Sequence, residues 1–416
     1  MSMIYRLQCS LCGEEYSSAD IKYNCPVDGG NLDVHLDLET LKSNMSMDMI
    51  LNSEDRSMWR YLPLLPVEDP GYEGTPLRRV GWTPVYRPPQ LLAERGLTQA
   101  WVKDESPNPT ASFKDRASAL MVAKGRELGA EVIITASSGN AGAALAGMAA
   151  AVGQKTVILV PKNAPPAKIA QLLVYGAKVA LVDGTYDDAF DLTLQAAEEY
   201  GWYCRNTGYN PFTAEGKKTA AFEIWEQVML PNQLDRPLNI FVSVGDGNII
   251  AGMHKGFKDL HALGWLKHMP RMFGVQADGS AAVAQAYKDE VELITPVHAD
   301  TLADSISVDL PRDGLRALRA ATQTGGAYLT VSDVEILLAI GELGKMGIFS
   351  EPAAAASFAG MVKAVADGLI TKDEPMLSLV TGSGLKDVKA AMQAAGQAPI
   401  IPPELDALRK AIWSYE

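Results

Sequence analysis

Short apolar runs rich in β-branched residues alternate with helical patterns along most of this chain. No other feature limits its architecture as much. Val132–Ala136, Thr156–Val160 and Lys178–Val182 are such runs, with helical periodicity between and after them. Leu238–Ser243, Arg271–Gln276, Ala327–Val331 and Met376–Val380 continue the pattern, and Trp101–Glu105 precedes it. Strands separated by helices pair in parallel, and helices then cover both faces of the sheet. At 416 residues the chain has room for two or three domains with sizeable cores. Elsewhere the pattern is weaker. Leu41–Tyr61 is Met-rich and helix-like, Pro63–Pro89 should be an extended arm with turns, and Leu405–Trp413 reads as a closing helix.

Two loops stand where strands end and helices begin. Ser137-Ser138-Gly139-Asn140-Ala141-Gly142 follows Val132–Ala136 and opens the Ala- and Gly-rich helix Ala141–Val152. Such a polar loop at the C-terminal end of a parallel strand is where α/β proteins bind ligands, and its helix N-terminus favours an anion. The plainer reading is an ordinary connecting turn. Val244-Gly245-Asp246-Gly247-Asn248-Ile249-Ile250-Ala251-Gly252 follows Leu238–Ser243. Its two glycines let backbone N–H groups converge on an anion, and phosphate is the natural guest. A dinucleotide fingerprint fails because Ile250 stands where the third glycine belongs. A nucleotide P-loop fails for lack of Gly-Lys-Ser/Thr. Asp246 inside an anion cradle should point away or cap the next helix, since an inward carboxylate repels the guest.

Asn108-Pro109-Thr110-Ala111-Ser112-Phe113-Lys114-Asp115-Arg116 reads as a turn running into a helix. Ser112 and Asp115 have capping-box spacing, and Phe113, Ala117, Leu120, Met121 and Leu128 share one face. Lys114 then lies in the first helical turn, where the helix dipole repels a cation. Desolvation lowers its pKa further, and a neutral amine is what Schiff-base chemistry requires. The competing reading is a surface lysine paired with Asp115 or a nearby acid.

The N-terminal segment carries Cys9-x-x-Cys12-Gly13 and Cys25-Pro26-Val27-Asp28-Gly29, two glycine-assisted turns of a zinc-ribbon type. Cys9, Cys12, Cys25 and Asp28 form a candidate zinc set, with Asp28 where a ribbon carries cysteine. A degenerate ribbon without metal is the alternative. The chain holds 37 Lys+Arg against 50 Asp+Glu, a net charge of −13. That balance speaks against nucleic acid and anionic membranes as partners. No apolar run is long enough for a membrane span, and the start lacks a signal-peptide pattern. Four cysteines, three of them in the ribbon, suit a reducing cytoplasm. The five histidines, His35, His254, His261, His268 and His298, make no recognised metal or triad motif.

Asn108–Arg116, read together with Gly81-Trp82-Thr83-Pro84-Val85, the Ser137–Gly142 loop, Asn206–Thr219, the Gly245–Asn248 loop, Thr301–Ile306, Glu351–Ala355 and Thr381–Asp387, resembles the threonine synthases. These belong to the fold-type II, tryptophan synthase β-like enzymes that use pyridoxal 5'-phosphate (PLP). Some of them carry an N-terminal ribbon. The resemblance implies two parallel-sheet α/β domains, a large one from 39–117 and 216–416 and a small one from 118–215, behind a ribbon-like segment at 1–38. It makes Lys114 the cofactor lysine and catalytic residue. Phe113, Asn140, Gly245, Asp246, Gly247, Asn248, Ile249 and Thr381 would line the cofactor. Ser137, Ser138, Gly139, Asn140, Lys168 and Asn206 would meet the substrate, with Asn210 beside Asn206; Lys168 also reads as a solvated helix lysine. Ala111 replaces the usual glycine of the motif, and Ser383 stands where these enzymes often carry histidine. The implied reaction converts O-phospho-L-homoserine and water to L-threonine and phosphate, in a cytoplasmic homodimer. Serine or threonine dehydratases and cysteate synthase, which acts on O-phosphoserine, share the same cofactor residues and stay open. A binding module built on the ribbon, with an inactive body, is the reading from another class, and the intact Lys114 and acidic charge oppose it.

Overall fold

The computed structural model describes residues 5–17, 23–164 and 166–413. The N-terminal segment's residues 1–4 and 18–22 therefore lie outside the described residues. Its remaining part forms a three-stranded antiparallel sheet of β1 (Tyr5–Cys9), β2 (Glu15–Ser17) and β3 (Leu32–Leu36), with β1 central. The larger sheet holds β4 (Val85–Tyr86), β5 (Ala100–Asp104), β10 (Asn239–Ser243), β11 (Arg271–Ala277), β12 (Ala327–Val331) and β13 (Met376–Val380). Its order is β12-β11-β10-β13-β5-β4, parallel except for β4. The smaller sheet is wholly parallel, in the order β8-β7-β6-β9. It comprises β6 (Val132–Ala136), β7 (Lys155–Pro161), β8 (Lys178–Val182) and β9 (Tyr203–Cys204).

Most of the strands expected from apolar runs are covered on both faces, whereas the edge strand β8 is largely exposed. β5, β6, β10 and β13 are buried at every position. In β10, Ile240 and Val242 join the core on one side while Phe241 joins the core on the other, as the two-residue side-chain period requires. Lys103 in β5 is fully buried, so it needs a partner, and its Nζ donates to Glu223 Oε2 at 2.8 Å. The two-residue strands β4 and β9 left no periodic signal in the sequence.

Two local expectations are corrected. The Met-rich Leu41–Tyr61 stretch is not one helix but two, Leu38–Asn44 and Met47–Leu51, followed by a 3-10 turn at Met58–Leu64. Asn44, Ser46, Asn52 and Ser53 interrupt it; the Asn44 side chain, for example, donates to Thr40 O at 2.9 Å. The Ser112–Asp115 capping box does not form. The helix spans Lys114–Glu127 with Phe113 at its N-cap and no side-chain cap. The Asp115 carboxylate instead accepts from Thr110 N at 2.7 Å and from Thr110 Oγ1, and Ser112 Oγ is buried without a partner. Along this helix Phe113, Ala117, Leu120 and Met121 are buried as expected, but Leu128 is 57% exposed because the helix has ended by then. The N-terminal three-stranded sheet packs behind this helix: Leu7, Leu32, Val34 and Leu36 share a core with Ala119, Leu120 and Met121.

Candidate active site

Arg116, two residues after Lys114, is fully buried and saturated with hydrogen bonds. It binds Glu105 through Nε and Nη2 at 2.7 and 2.8 Å, and Glu223 through Nη1 and Nη2 at 2.6 and 2.8 Å. Glu223 also accepts from Trp82 N, Thr83 N and Lys103, while Glu105 accepts from Thr83 Oγ1 and Asn108 Nδ2. This dry network locks the Gly81–Val85 segment, β5 and the start of the lysine helix into one body. Buried charges persist only when paired in this way.

The lysine motif is then fastened to the end of β13. Phe113 N donates to Thr381 O at 2.8 Å and Ser383 N donates to Ala111 O at 3.1 Å. Ala111 has φ +64°, which explains why glycine is usual there; alanine costs roughly 1 kcal/mol in that region. Glu351 N donates to Gly382 O at 3.1 Å, which brings a third distant segment to the same point.

A cleft opens between the sheets where these strand ends meet. Phe113, Lys114, Asn140, Gly245, Asp246, Gly247, Asn248, Ile249 and Thr381 all line it, so the structure brings together every residue expected near a cofactor. Burial lowers the pKa of Lys114, and the nearby Asp246 opposes the shift. The Asn248–Ala262 helix starts from Gly247, at φ +89°, so its free N–H groups face the cleft with the dipole's positive end. Asp246 does not cap it. Its Oδ1 accepts from Arg312 N at 3.3 Å and its carbonyl from Asp313 N at 2.8 Å, which tethers the carboxylate to a neighbouring segment.

Ser138, Gly139 and Lys168 line an adjoining cleft that shares Asn140 and Glu351 with the first. Asn140 Nδ2 donates to Glu351 Oε1 at 2.8 Å. Burial holds the Glu351 carboxyl up to about 7 against the pull of Lys386, the Asn140 hydrogen bond and Lys114. Lys168 is paired with Asp304 at the rim. Ser137 Oγ accepts from Gly139 N at 3.2 Å and so shapes the loop. Asn206 lines neither cleft: its Oδ1 accepts from Thr135 Oγ1 and Ala136 N, clasping the end of β6. Asn210 likewise serves its own loop, through Cys204 O and Phe212 N.

Several groups escaped sequence reasoning. Glu351, Lys217 and Thr207 lay within recognised segments but nothing marked them out; Ser243 and Arg205 gave no signal. Ser243 Oγ lines the first cleft without a partner. Lys217 is fully buried, with Nζ donating only to the neutral Asn248 Oδ1. Arg205, also fully buried, binds Ser118 Oγ and Thr207 Oγ1 and leaves Nη2 without an acceptor. Neither side chain has a carboxylate within ion-pair distance among the described residues, and burial pulls the pKa of Lys217 well below the ordinary lysine range. Convergent N–H groups and an orphan hydroxyl in the first cleft suit a bound phosphate, and the adjacent amine of Lys114 suits an aldehyde. The cofactor expected here, PLP, carries both.

Residues 77–382 match the family model described as pyridoxal-phosphate dependent enzyme. The chain is 38% identical over 408 residues to a threonine synthase of Methanocaldococcus jannaschii, covering 97% of this chain and 98% of the relative. It is 37% identical over 413 residues to a threonine synthase of Methanosarcina acetivorans, covering 99% of each. Among solved structures, a processed threonine deaminase isoform 2 from Solanum lycopersicum superposes with a TM-score of 0.63 at 23% identity, covering 76% of this chain and 88% of that one. This last likeness speaks to the fold alone. The chain thus belongs to the PLP-dependent enzymes of fold type II and, within them, to the threonine synthase family.

Proposed function

We propose that this enzyme converts O-phospho-L-homoserine and water to L-threonine and phosphate, as a PLP-dependent carbon–oxygen lyase. The observation that carries the reading is one lysine amine flanked by two helix N-termini, at Gly247 and at Gly139, that open on connected clefts. Two anion sites suit a substrate that brings a carboxylate and a phosphate to a cofactor with a phosphate of its own.

When bound, PLP supplies an electron sink for negative charge at the substrate α carbon. The backbone N–H groups of 245–249 would hold its phosphate, Asn140 its ring oxygen and Thr381 its ring nitrogen. A hydroxyl does not protonate that nitrogen strongly, which suits elimination and replacement chemistry. Lys114 takes protons from the α and β carbons, delivers one to the γ carbon after phosphate has left, and returns one to the α carbon. The Ser138–Asn140 turn holds the substrate carboxylate. Lys168, released from Asp304, meets the substrate phosphate, which leaves from the γ carbon before water adds at the β carbon. The protein acts as a cytoplasmic homodimer in this reading.

Two measurements test it. Borohydride reduction should fix pyridoxal on Lys114, and Lys114→Ala should lower turnover by at least about a thousandfold. Phosphate and threonine should appear in equal amounts from O-phosphohomoserine. Ser383 stands in place of histidine, and two other outcomes bear on it: cysteate from O-phosphoserine and sulfite, or a 2-oxo acid from serine or threonine, would reassign the substrate while leaving the cofactor site intact.

A further inference from the structure

The ribbon does more than cover the back of the lysine helix. Sγ of Cys9, Cys12 and Cys25 and a carboxylate oxygen of Asp28 all lie within 4.8 Å of one another. Cys12 Sγ and Cys25 Sγ are 3.8 Å apart, and Cys9 Sγ is 3.3 Å from Asp28 Oδ1. A tetrahedral ion with metal–sulfur bonds of about 2.3 Å sets ligands roughly 3.8 Å apart along each edge. The sulfurs are too far apart for a disulfide. Each knuckle is closed by a glycine at positive φ, with Gly13 N donating to Cys9 O at 3.1 Å and Gly29 N to Cys25 O at 2.8 Å. Leu11 N donates to Cys9 Sγ at 3.3 Å, and Gly30 N to Asp28 Oδ1 at 2.8 Å. Such donors orient the ligands of a metal.

From the knuckles a continuous chain of hydrogen bonds reaches the cofactor cradle. Ser10 N, beside Cys9, donates to Asn31 O at 2.9 Å, and Arg319 Nη1 donates to Ser10 O at 2.6 Å. Asn31 Nδ2 donates to Arg312 O at 2.8 Å and to Asp313 Oδ1 at 3.1 Å. Asp33 in β3 holds Arg316, which binds both oxygens of Asp313. On its other side the same segment touches three consecutive cradle residues. Arg312 N and Asp313 N donate to Asp246, Asn248 Nδ2 donates to Asp313 Oδ2 at 2.7 Å, and Gly247 lies against Asp313.

We infer that Cys9, Cys12, Cys25 and Asp28 bind one thiophilic divalent cation of the zinc class, and that its occupancy tightens PLP binding through the 312–316 segment. The ion fixes both knuckles, the knuckles fix Asn31, and Asn31 holds the segment on which the cradle rests. Coupling of this kind is reciprocal, so PLP also tightens the metal.

The test uses full-length protein purified without chelator. Elemental analysis should find one zinc per chain. Metal-stripped protein should bind PLP roughly tenfold more weakly than the same sample after zinc is restored, with Cys12→Ser resembling the stripped form. Asn31→Ala should keep its zinc yet show the same PLP affinity with and without it. Asp28→Cys should hold zinc more tightly, thiolate being the better ligand. Protein that takes up no zinc after supplementation overturns the site. Zinc uptake with unchanged PLP affinity in the unsubstituted protein overturns the coupling. Both readouts are independent of which amino acid the enzyme turns over.

Discussion

Two strand-to-helix turns open on adjoining clefts, and they are built in opposite ways. At the 245–249 cradle three consecutive residues are gripped from behind: Asp246 and Asn248 by the 312–313 segment, Gly247 by Ala317 and Asp313. A Cβ added at Gly247 would sit 2.6 Å from Ala317 Cβ and 2.8 Å from Asp313 O. At the 137–140 turn a Cβ added at Gly139 would meet nothing within 4 Å, and among the described residues the one side-chain hydrogen bond leaving the turn is Asn140 to Glu351. The first is preorganised for a guest that stays through every turnover. The second is left open, as a site for a guest that must enter and leave has to be. Binding energy is held in rigid supports where exchange is unwanted and withheld where it is needed.

The contrast is sharpest in a pair of valine substitutions. Gly247→Val should weaken PLP binding on the order of a hundredfold, because it adds left-handed strain to overpacking against backbone. Gly139→Val should leave PLP affinity within about twofold. Absorbance titration of apoprotein, with circular dichroism as a folding control, reads both, and equal effects would erase the distinction. Asp313→Ala should destabilise the protein by about 3 kcal/mol in urea melts, since Arg316 loses its buried partner.

The loop side should show its own pH signature. Glu351 holds its proton up to about 7 in the folded apoprotein, above an ordinary value of 4.5. Between those values the folded state binds more protons than the unfolded one, so stability falls as pH rises and the loss is complete above about 7. Glu351→Gln should remove that share of the slope, about 3 kcal/mol at most. Asp115, also raised to about 7 by burial, keeps a background slope in the variant. The smallest effect belongs to Gly139→Ala, which should change thermal stability by no more than about 0.5 kcal/mol.

Most of the sheet architecture was legible because a strand buried on both faces has to be mainly apolar, as β6 and β13 are but for the hydrogen-bonded Thr135 and Ser378. The cradle drew notice because converging N–H groups require glycine, and Lys114 because a helix start is a costly place for a cation, though only the family resemblance set it above a paired surface lysine. What stayed hidden depends on distance along the chain. Asp115 looked like a cap because Ser112 stands three residues before it, yet Thr110 captures its carboxylate. Asn206 looked like a substrate contact, but β6 had already taken its oxygen. Glu351 gained its raised pKa from an enclosure that no local pattern describes. Asn31 meets Asp313 across 282 positions, and no periodicity carries that information.

One feature of the large sheet bears on how the protein is made. β13 is the last strand in the sequence, yet it lies inside the sheet between β10 and β5. During synthesis, β4–β5 and β10–β11–β12 can each pair locally, but both present an open edge until residues 376–380 leave the ribosome. Those edges are templates for wrong pairing with other chains. The same strand delivers Thr381 to the lysine motif, so a nascent chain cannot complete the cofactor site before Thr381 has been made. Cofactor capture then marks the end of folding, and C-terminal truncations should yield aggregates rather than weakened enzymes.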